Sequence, residues 1–154
     1  MYTVVGTTRS RAARVLWMLQ ELGLPYNHVP AAPQSPEARS YNPWGKVPIL
    51  IDGDASITDS TAILTYLADK HAEFTAPSGT LARAQQDSVT QFVLDEMDAI
   101  LWMAARHSFA LPEAMRLPAI KESLKWEYTR SLQRLAVRLQ GPFLTGDRMT
   151  VPDI

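Results

Sequence analysis

Two segments on either side of a predicted hairpin carry residue types that could hold a small, extended, charged ligand. The first is Asn42–Leu50, which contains the dipeptide Val47-Pro48. Proline has no N–H group, so in a sheet it is confined to strand starts, edges or turns, and its peptide bond can be cis at low cost. In that conformation the N–H and C=O groups of Val47 would face outward and could pair with an extended peptide. A proline that merely begins an edge strand is the alternative.

The second segment is Asp59-Ser60, which precedes a predicted helix with Ile63 and Leu67 on its apolar face. The N-terminus of a helix has unpaired N–H groups and a partial positive charge, so it binds carboxylates. Ser60 could donate to such a carboxylate and Asp59 could receive an ammonium group. Together they match the two charges of one amino acid, although ordinary helix capping would explain the same residues.

A third polar segment, Thr7–Arg11, lies between the first predicted strand and the first predicted helix. Hydroxyl and N–H groups at this position, supported by the helix dipole and two arginines, would stabilise an anion such as a thiolate. Helix capping with solvated arginines is an equally good explanation from the sequence alone.

The elements that must position these segments begin with a βαβ unit. Strands are predicted at Tyr2–Val5 and Tyr26–Val29. Between them, apolar residues recur at spacings of three and four from Ala12 to Leu22, and Gly23 ends this helix. Strand, helix and strand in about 30 residues predict a parallel pair with a right-handed crossover.

A long loop with four prolines, residues 30–45, connects this unit to a hairpin. The hairpin strands are predicted at Val47–Ile51 and Ala55–Thr58, on either side of a tight turn at Gly53. A helix to about Lys70 follows, and the sequence leaves open whether the long loop also contains a helix.

The pattern becomes entirely helical after a linker at residues 72–79, so we predict an α/β domain at 1–75 and an all-helical domain at 82–154. Broad apolar stripes run through residues 89–104 and 120–139. The final segment, Thr150–Asp153, is typical of a helix start. We therefore expect the helical domain to be truncated, with an exposed apolar face.

Composition excludes several classes of function. The 154 residues carry a net charge of −1, which gives no electrostatic reason to expect nucleic acid or an anionic membrane as a partner. The chain has no cysteine and its three histidines are far apart in sequence, so no metal site is predicted. A signal peptide and a transmembrane segment are not predicted, and a cytoplasmic protein is the expectation.

The ordered set of motifs resembles the cytosolic glutathione S-transferase family, with similarity to bacterial-like members of the Ser/Thr type. The motifs that carry this resemblance are Ser10–Leu16, Glu21–Tyr26, Asn42–Pro48, Asp59–Leu67 and Gly141–Ile154. The resemblance implies a thioredoxin-like first domain, a helical second domain, a homodimer, glutathione as cosubstrate and a role in detoxification.

Five positions match the residues by which this family holds glutathione, namely Lys46, Val47, Pro48, Asp59 and Ser60, and Trp44 is a further candidate on the same loop. The resemblance implies that the backbone of Val47 pairs with the cysteinyl unit and that Pro48 is the cis proline. It implies that Asp59 and Ser60 hold the γ-glutamyl end. Lys46 would lie near the glycine carboxylate of glutathione, and Trp44 would line the same side of the binding site.

The family activates the glutathione thiol with a Tyr, Ser or Cys near the start of the first helix. Cysteine is absent and the first strand ends without tyrosine, so the Ser/Thr type remains. The usual serine position falls on Arg9, one residue before Ser10. Ser10 is therefore our first choice, followed by Thr7, Thr8 and the guanidinium of Arg9 or Arg11.

The resemblance also implies a hydrophobic electrophile between the domains, with Trp102, Met103, Arg106 and His107 as candidate wall residues. The expected reaction is attack of the bound thiolate on an electrophilic small molecule, or reduction of a peroxide. Two alternatives stay open: a glutathione-dependent isomerase, and a non-catalytic binding or assembly module on the same fold.

Overall fold

The computed structural model describes residues 1–154, which divide into two compact units. The first unit is Met1–Thr75 together with Ile154, and the second is Ala76–Asp153. None of the helices combines the length and apolar character that a membrane span requires.

The first unit is built on a four-stranded mixed sheet in the order β2-β1-β3-β4. Strand β1 runs parallel to β2 and antiparallel to β3, and β3 runs antiparallel to β4. The predicted parallel βαβ unit and the predicted α/β class are thereby confirmed. The elements of this unit are β1 (Tyr2–Val5), α1 (Ala12–Glu21), β2 (Tyr26–Val29), α2 (Pro36–Tyr41), β3 (Ile49–Asp52), β4 (Ala55–Thr58) and α3 (Ser60–His71).

Two details differ from the sequence-based expectation. Strand β3 begins at Ile49 rather than Val47, because Pro48 has no N–H to contribute to the ladder. The long loop contains the short helix α2, which the sequence left open. Ser35 caps this helix by accepting a hydrogen bond from the N–H of Ala38.

Apolar side chains cover both faces of the sheet. Adjacent residues Ile49 and Leu50 of β3 are both fully buried, and successive strand residues point to opposite faces. Ile49 packs with Ala38 of α2 and Val5 in one cluster. The apolar stripes of α1 and α3 are buried and these two helices pack together; their fully buried residues include Val15, Met18, Leu19, Ile63 and Leu67.

A polar cluster fastens the C-terminal end of α3 to the sheet. The Asp52 carboxylate at the end of β3 accepts hydrogen bonds from the Tyr66 hydroxyl and the Lys70 ammonium group. Tyr2 on β1 and His71 on α3 are joined by a 2.9 Å hydrogen bond. Because α3 is anchored at its C-terminus and packed along its length, its N-terminus has a defined place at the opposite end of the sheet.

The second unit is helical, with α4 (Leu81–Val93), α5 (Ala99–Ala105) and α6 (Ile120–Arg138). Five-residue π-helical turns, Leu94–Asp98 and Arg106–Ala110, follow α4 and α5. The buried Ser131 hydroxyl of α6 donates to Glu96 at 2.9 Å.

Near the end of the second unit, Asp153 accepts hydrogen bonds from the N–H groups of Leu144 and Thr150, both at 2.8 Å. The predicted helix start is present as a single 3₁₀ turn, Val151–Asp153. On α6, Trp126 and Val137 are largely exposed.

Candidate functional site

The sheet register brings the three chemically interesting segments to one end of the first unit. Ile49 pairs with Val5 on one side and with Thr58 on the other. Gly6 follows Val5, Pro48 precedes Ile49 and Asp59 follows Thr58. The polar loop 7–11, the Val47-Pro48 dipeptide and the start of α3 therefore all leave the sheet at the same place.

Gly6 allows the closest approach among these segments. A Cβ atom at this position would lie 2.8 Å from the Cβ of Ala12, which is closer than Cβ atoms approach, and 3.1 Å from the Cβ of Val47, which is a tight contact. Its φ of +143° is also rarely adopted by residues with a side chain. Only glycine fits, so the end of β1 touches both the start of α1 and the residue before Pro48.

Val47 presents unpaired backbone groups at this place. The Val47–Pro48 peptide bond is cis, Pro48 is buried and Val47 is half-buried. The ladder between β1 and β3 ends at Ile49, and no hydrogen bond within the chain uses the N–H or C=O group of Val47. These two groups could pair with one residue of an extended peptide.

The loop that presents Val47 is held by Asn42, which is only 6% exposed. Its Nδ2 donates to the C=O of Lys46 at 3.0 Å, and its Oδ1 accepts from the N–H of Trp44 at 3.1 Å. One buried amide therefore fixes the backbone on both sides of Gly45. The sequence contained this asparagine in a motif but did not predict its contacts.

Gln34 holds the same loop from the outside. Its N–H donates to the C=O of Gly45 at 2.8 Å, and its side-chain Nε2 donates to the C=O of Trp44 at 2.9 Å. Arg39 completes the support by donating to the Gln34 side chain and to the C=O of Pro43. Sequence reasoning missed both residues, since no local pattern reveals a contact across ten residues.

Trp44 and Lys46, the candidates for the glycine end of glutathione, lie on this supported loop. Trp44 is 75% exposed, and Lys46 is exposed immediately before Val47. Their backbones are fixed by Asn42 and Gln34, and their side chains face solvent, where a ligand could reach them.

Asp59 caps α3 through one of its two carboxylate oxygens. Its Oδ1 accepts from the N–H groups of Thr61 at 3.0 Å and Ala62 at 3.1 Å. The capping alternative is therefore part of its role, but neither bond uses Oδ2. Asp59 has a φ of +74°, which is uncommon outside glycine and clusters at functional sites. Ser60, the first residue of α3, is buried at the helix N-terminus beside it.

The loop at residues 7–11 begins α1 through its own hydrogen bonds. The Ser10 hydroxyl donates to the C=O of Thr7 at 2.7 Å and accepts from the N–H of Ala12 at 3.2 Å. Its single proton is thus engaged and would have to leave Thr7 to reach a thiolate. Thr8 and Arg9 are exposed, while Thr7 and Arg11 are half-buried.

The four residues that are candidates for binding the electrophilic substrate lie in the second unit, on one continuous helical stretch. Trp102 and Met103 belong to α5, and Arg106 and His107 begin the following π-helical turn. Residues four apart lie on the same side of a helix, so Trp102 accompanies Arg106 and Met103 accompanies His107. His107 Nδ1 accepts from the N–H of Leu117 at 3.1 Å. The structure contains no group of three or more side chains suited to a metal ion.

The family model and several relatives that match this chain carry the name glutathione S-transferase. Residues 5–75 match the family model described as "Glutathione S-transferase, N-terminal domain". The chain is 33% identical over 153 residues to glutathione S-transferase Z2 of Arabidopsis thaliana, a match that covers 94% of this chain and 68% of that protein. It spans 66–68% of the length of three relatives that it matches over nearly its whole extent.

Solved structures show the same similarity. The theta class glutathione S-transferase of Xanthomonas axonopodis pv. citri, with glutathione bound, is 28% identical with a TM-score of 0.79. That match covers 99% of this chain and 77% of the other. Glutathione transferase URE2P6 of Phanerochaete chrysosporium, in complex with oxidized glutathione, is 27% identical with a TM-score of 0.80, over 98% of this chain and 74% of the other.

Proposed function

Because this chain belongs to the glutathione S-transferase family, we propose that it is a glutathione transferase whose first unit binds glutathione and activates its thiol. The observation that carries this proposal is the unpaired N–H and C=O of Val47, next to the start of α3 and to the polar loop at 7–11. Glutathione is an extended peptide with a thiol at its central residue, which suits this arrangement.

Each end of glutathione has proposed partners. Asp59 Oδ2 receives the α-ammonium group of the γ-glutamyl unit, and Ser60 with the N-terminus of α3 receives its α-carboxylate. Lys46 attracts the glycine carboxylate, and Trp44 covers that side. Pro48 holds Val47 in the position from which its backbone pairs with the cysteinyl unit.

Thiol activation is assigned to the loop between β1 and α1. A hydrogen-bond donor or a cation stabilises thiolate over thiol and so lowers the thiol pKa. Ser10 is the first proposed donor, with Thr7, Thr8, Arg9 and Arg11 as the alternatives. The exposed Thr8 hydroxyl needs no rearrangement, whereas Ser10 must exchange its bond to Thr7, which is worth about 1 kcal/mol.

The reaction proceeds by attack of the thiolate sulfur on an electrophilic small molecule. A carbon–sulfur bond forms while the bond to the leaving group breaks, and the leaving group takes the electron pair. A peroxide would instead lose its O–O bond to attack by the thiolate, which with one proton gives an alcohol and a glutathione sulfenic acid. A second glutathione thiol then converts the sulfenic acid to the disulfide and releases water. We assign the hydrophobic electrophile to Trp102, Met103, Arg106 and His107 of the helical domain at 82–154. Family resemblance supports a homodimer, a cytoplasmic location and a role in detoxification.

An ultraviolet titration of glutathione bound to this chain tests the proposal. We expect the bound thiol to ionise well below the pKa of free glutathione, because donors and the α1 N-terminus stabilise the anion. An unshifted titration would show that this chain does not activate the thiol. A screen that compares conjugation with isomerisation then separates transferase from isomerase, an alternative that the named relatives do not favour.

A further inference from the structure

We propose that His28 is a positioning residue for thiol activation, a role that rests on the function proposed above. His28 lies on β2, away from the segments assigned to glutathione, and neither the motifs nor the proposed binding contacts use it. Its imidazole nevertheless reaches the loop that carries every candidate for activating the thiol.

The contact is a hydrogen bond between His28 Nε2 and the C=O of Gly6, 2.8 Å long. A carbonyl oxygen only accepts, so Nε2 carries the proton and donates it. The N–H on the other side of the same peptide, that of Thr7, donates to the C=O of Ala31 at 3.0 Å. Both polar groups of the Gly6–Thr7 peptide are therefore held from outside the loop.

This peptide sets the direction in which the loop leaves β1. Gly6 has no side chain, and glycine has the widest backbone freedom of all residues. Its N–H donates to Val29, but that bond fixes only the preceding peptide. Without the His28 bond, the carbonyl of Gly6 would lose its side-chain anchor, and the Gly6–Thr7 peptide would be held only through the N–H of Thr7.

The orientation fixed at Gly6 is passed to the candidate hydroxyl groups through Thr7. The C=O of Thr7 accepts from both the N–H and the hydroxyl of Ser10, at 3.0 Å and 2.7 Å. The Thr7 hydroxyl accepts from the N–H of Arg9 at 3.4 Å. Because the loop is built on Thr7, a rotation of the Gly6–Thr7 peptide would displace every hydroxyl that could reach the thiol.

His28 lies where its side chain does not contribute to the hydrophobic core, so a positioning role can be tested apart from folding. The side chain is exposed on the edge strand β2, and β2 pairs with β1 through backbone groups that any residue supplies. The side chains buried beneath the sheet belong to other residues. We therefore expect substitutions of His28 to leave the fold intact while they alter the loop.

Three variants test the proposal. His28→Leu removes the donor at similar size, His28→Gln keeps an N–H donor of similar reach, and Asn27→Leu is the control on the same strand. Asn27 is also exposed and points to the opposite face of the sheet. The measurements are the pKa of the bound glutathione thiol, the dissociation constant for glutathione, kcat/KM and the melting temperature.

For His28→Leu we expect a rise in the bound thiol pKa and a fall in kcat/KM of about 10-fold, because misplaced catalytic groups lose rate steeply. The melting temperature, and the glutathione affinity measured at a pH where the bound thiol is protonated, should stay near the wild-type values, since Val47 and α3 hold the ligand. His28→Gln should restore the thiol pKa, and Asn27→Leu should match the wild type.

The outcomes distinguish this proposal from the proposed function. If the wild type lowers the thiol pKa and His28→Leu lowers it equally, the positioning role is wrong and the function stands. Failure of His28→Gln to restore the pKa would also overturn it. The positioning role would also be wrong if His28→Leu lowered glutathione affinity and melting temperature as well as kcat/KM, because that result indicates a merely structural role. A wild type that leaves the thiol pKa unshifted defeats the proposed function, and this inference with it.

Discussion

At the scale of the residue, the buried amide of Asn42 supports the loop whose backbone is proposed to pair with glutathione. Asn42 bridges Trp44 and Lys46, so replacement by alanine removes the partners of the Trp44 N–H and the Lys46 C=O from two part-buried hydrogen bonds. For Asn42→Ala we expect a melting temperature lower by about 4 °C and glutathione binding weaker by about 10-fold. Thermal denaturation and calorimetric titration measure the two effects, and the exposed Asn27→Ala is the control. Binding that survives intact would show that the loop does not need this support.

Asp59 has two separable roles, since one oxygen caps α3 and the other is proposed to bind the γ-glutamyl ammonium group. Asp59→Asn keeps an acceptor for Thr61 and Ala62 but removes the charge, whereas Asp59→Ala removes both. We expect about 10-fold weaker glutathione binding in both variants. Only the alanine variant should lose a cap worth about 1 kcal/mol. Undiminished affinity in Asp59→Asn would refute the γ-glutamyl assignment.

The hydroxyl that activates the thiol can be identified by comparing Ser10→Ala with Thr8→Val and Thr7→Val. If Ser10 is the donor, Ser10→Ala lowers kcat by about 100-fold, the usual cost of one donor to a developing or bound anion. The protein should remain folded, because the lost bonds to Thr7 and Ala12 are local and partly exposed. Unchanged turnover in Ser10→Ala would move the role to Thr7, Thr8 or an arginine.

At the scale of the elements, the anchor of α3 makes stability depend on pH. Hydrogen bonds from Lys70, and then from Tyr66, hold the pKa of Asp52 below its ordinary value of 3.8. A carboxyl group with a lowered pKa in the folded state stabilises the fold above its unfolded pKa. That contribution is lost as the pH falls through the folded pKa. The Asp52 bond conversely raises the pKa of Lys70, so its contribution is lost only at strongly alkaline pH.

We therefore expect Asp52→Asn to lower the melting temperature by about 3 °C at neutral pH, and by less as the pH falls below 3.8 and through the lowered pKa, where the wild-type carboxyl becomes protonated. Glu122→Gln is the matched control. Glu122 also has a pKa lowered by its lysine partner Lys125, but that pair is highly exposed and should contribute little. Equal effects of the two substitutions, or a pH-independent difference for Asp52→Asn, would contradict the anchor.

The same elements show what a sequence pattern can and cannot predict. Strands β1 and β4 follow from their β-branched residues and flanking turn residues, and β2 follows from its place after Gly23 and Pro25. These are local signals. The start of β3 was wrong because pairing stops where Pro48 interrupts the ladder. The contact of His28 with Gly6 was not predictable, because it joins two strands whose proximity depends on the completed sheet. The contacts of Asn42 and Gln34 lie within one long loop, and they depend on a loop conformation that no periodic pattern reveals. The proposed glutathione residues came from a motif, and the hydrogen bonds now supply a physical reason for their positions.

At the scale of the whole molecule, the two units have separate parts in the proposed reaction, and this division can be measured. Trp102→Ala in the second unit should raise the KM for a hydrophobic electrophile by about 5-fold, since it removes apolar contact area. It should leave the bound thiol pKa unchanged, because that pKa is set by the first unit. Ser10→Ala should raise the bound thiol pKa and leave the KM for the electrophile unchanged. If the two sites are independent, the double variant should lose kcat/KM by the sum of the two single free-energy changes.

Trp126→Ala is the control for the second unit, because Trp126 is a 62% exposed tryptophan on α6, against 43% for Trp102 on α5. Steady-state kinetics with one electrophile give KM and kcat/KM for each variant, and the ultraviolet titration gives the pKa of the bound thiol. An equal rise in KM for both tryptophan variants would remove residues 102–107 from the electrophile site. A shift in the thiol pKa in Trp102→Ala would show that activation is not confined to the first unit, and the separation of roles would then be wrong.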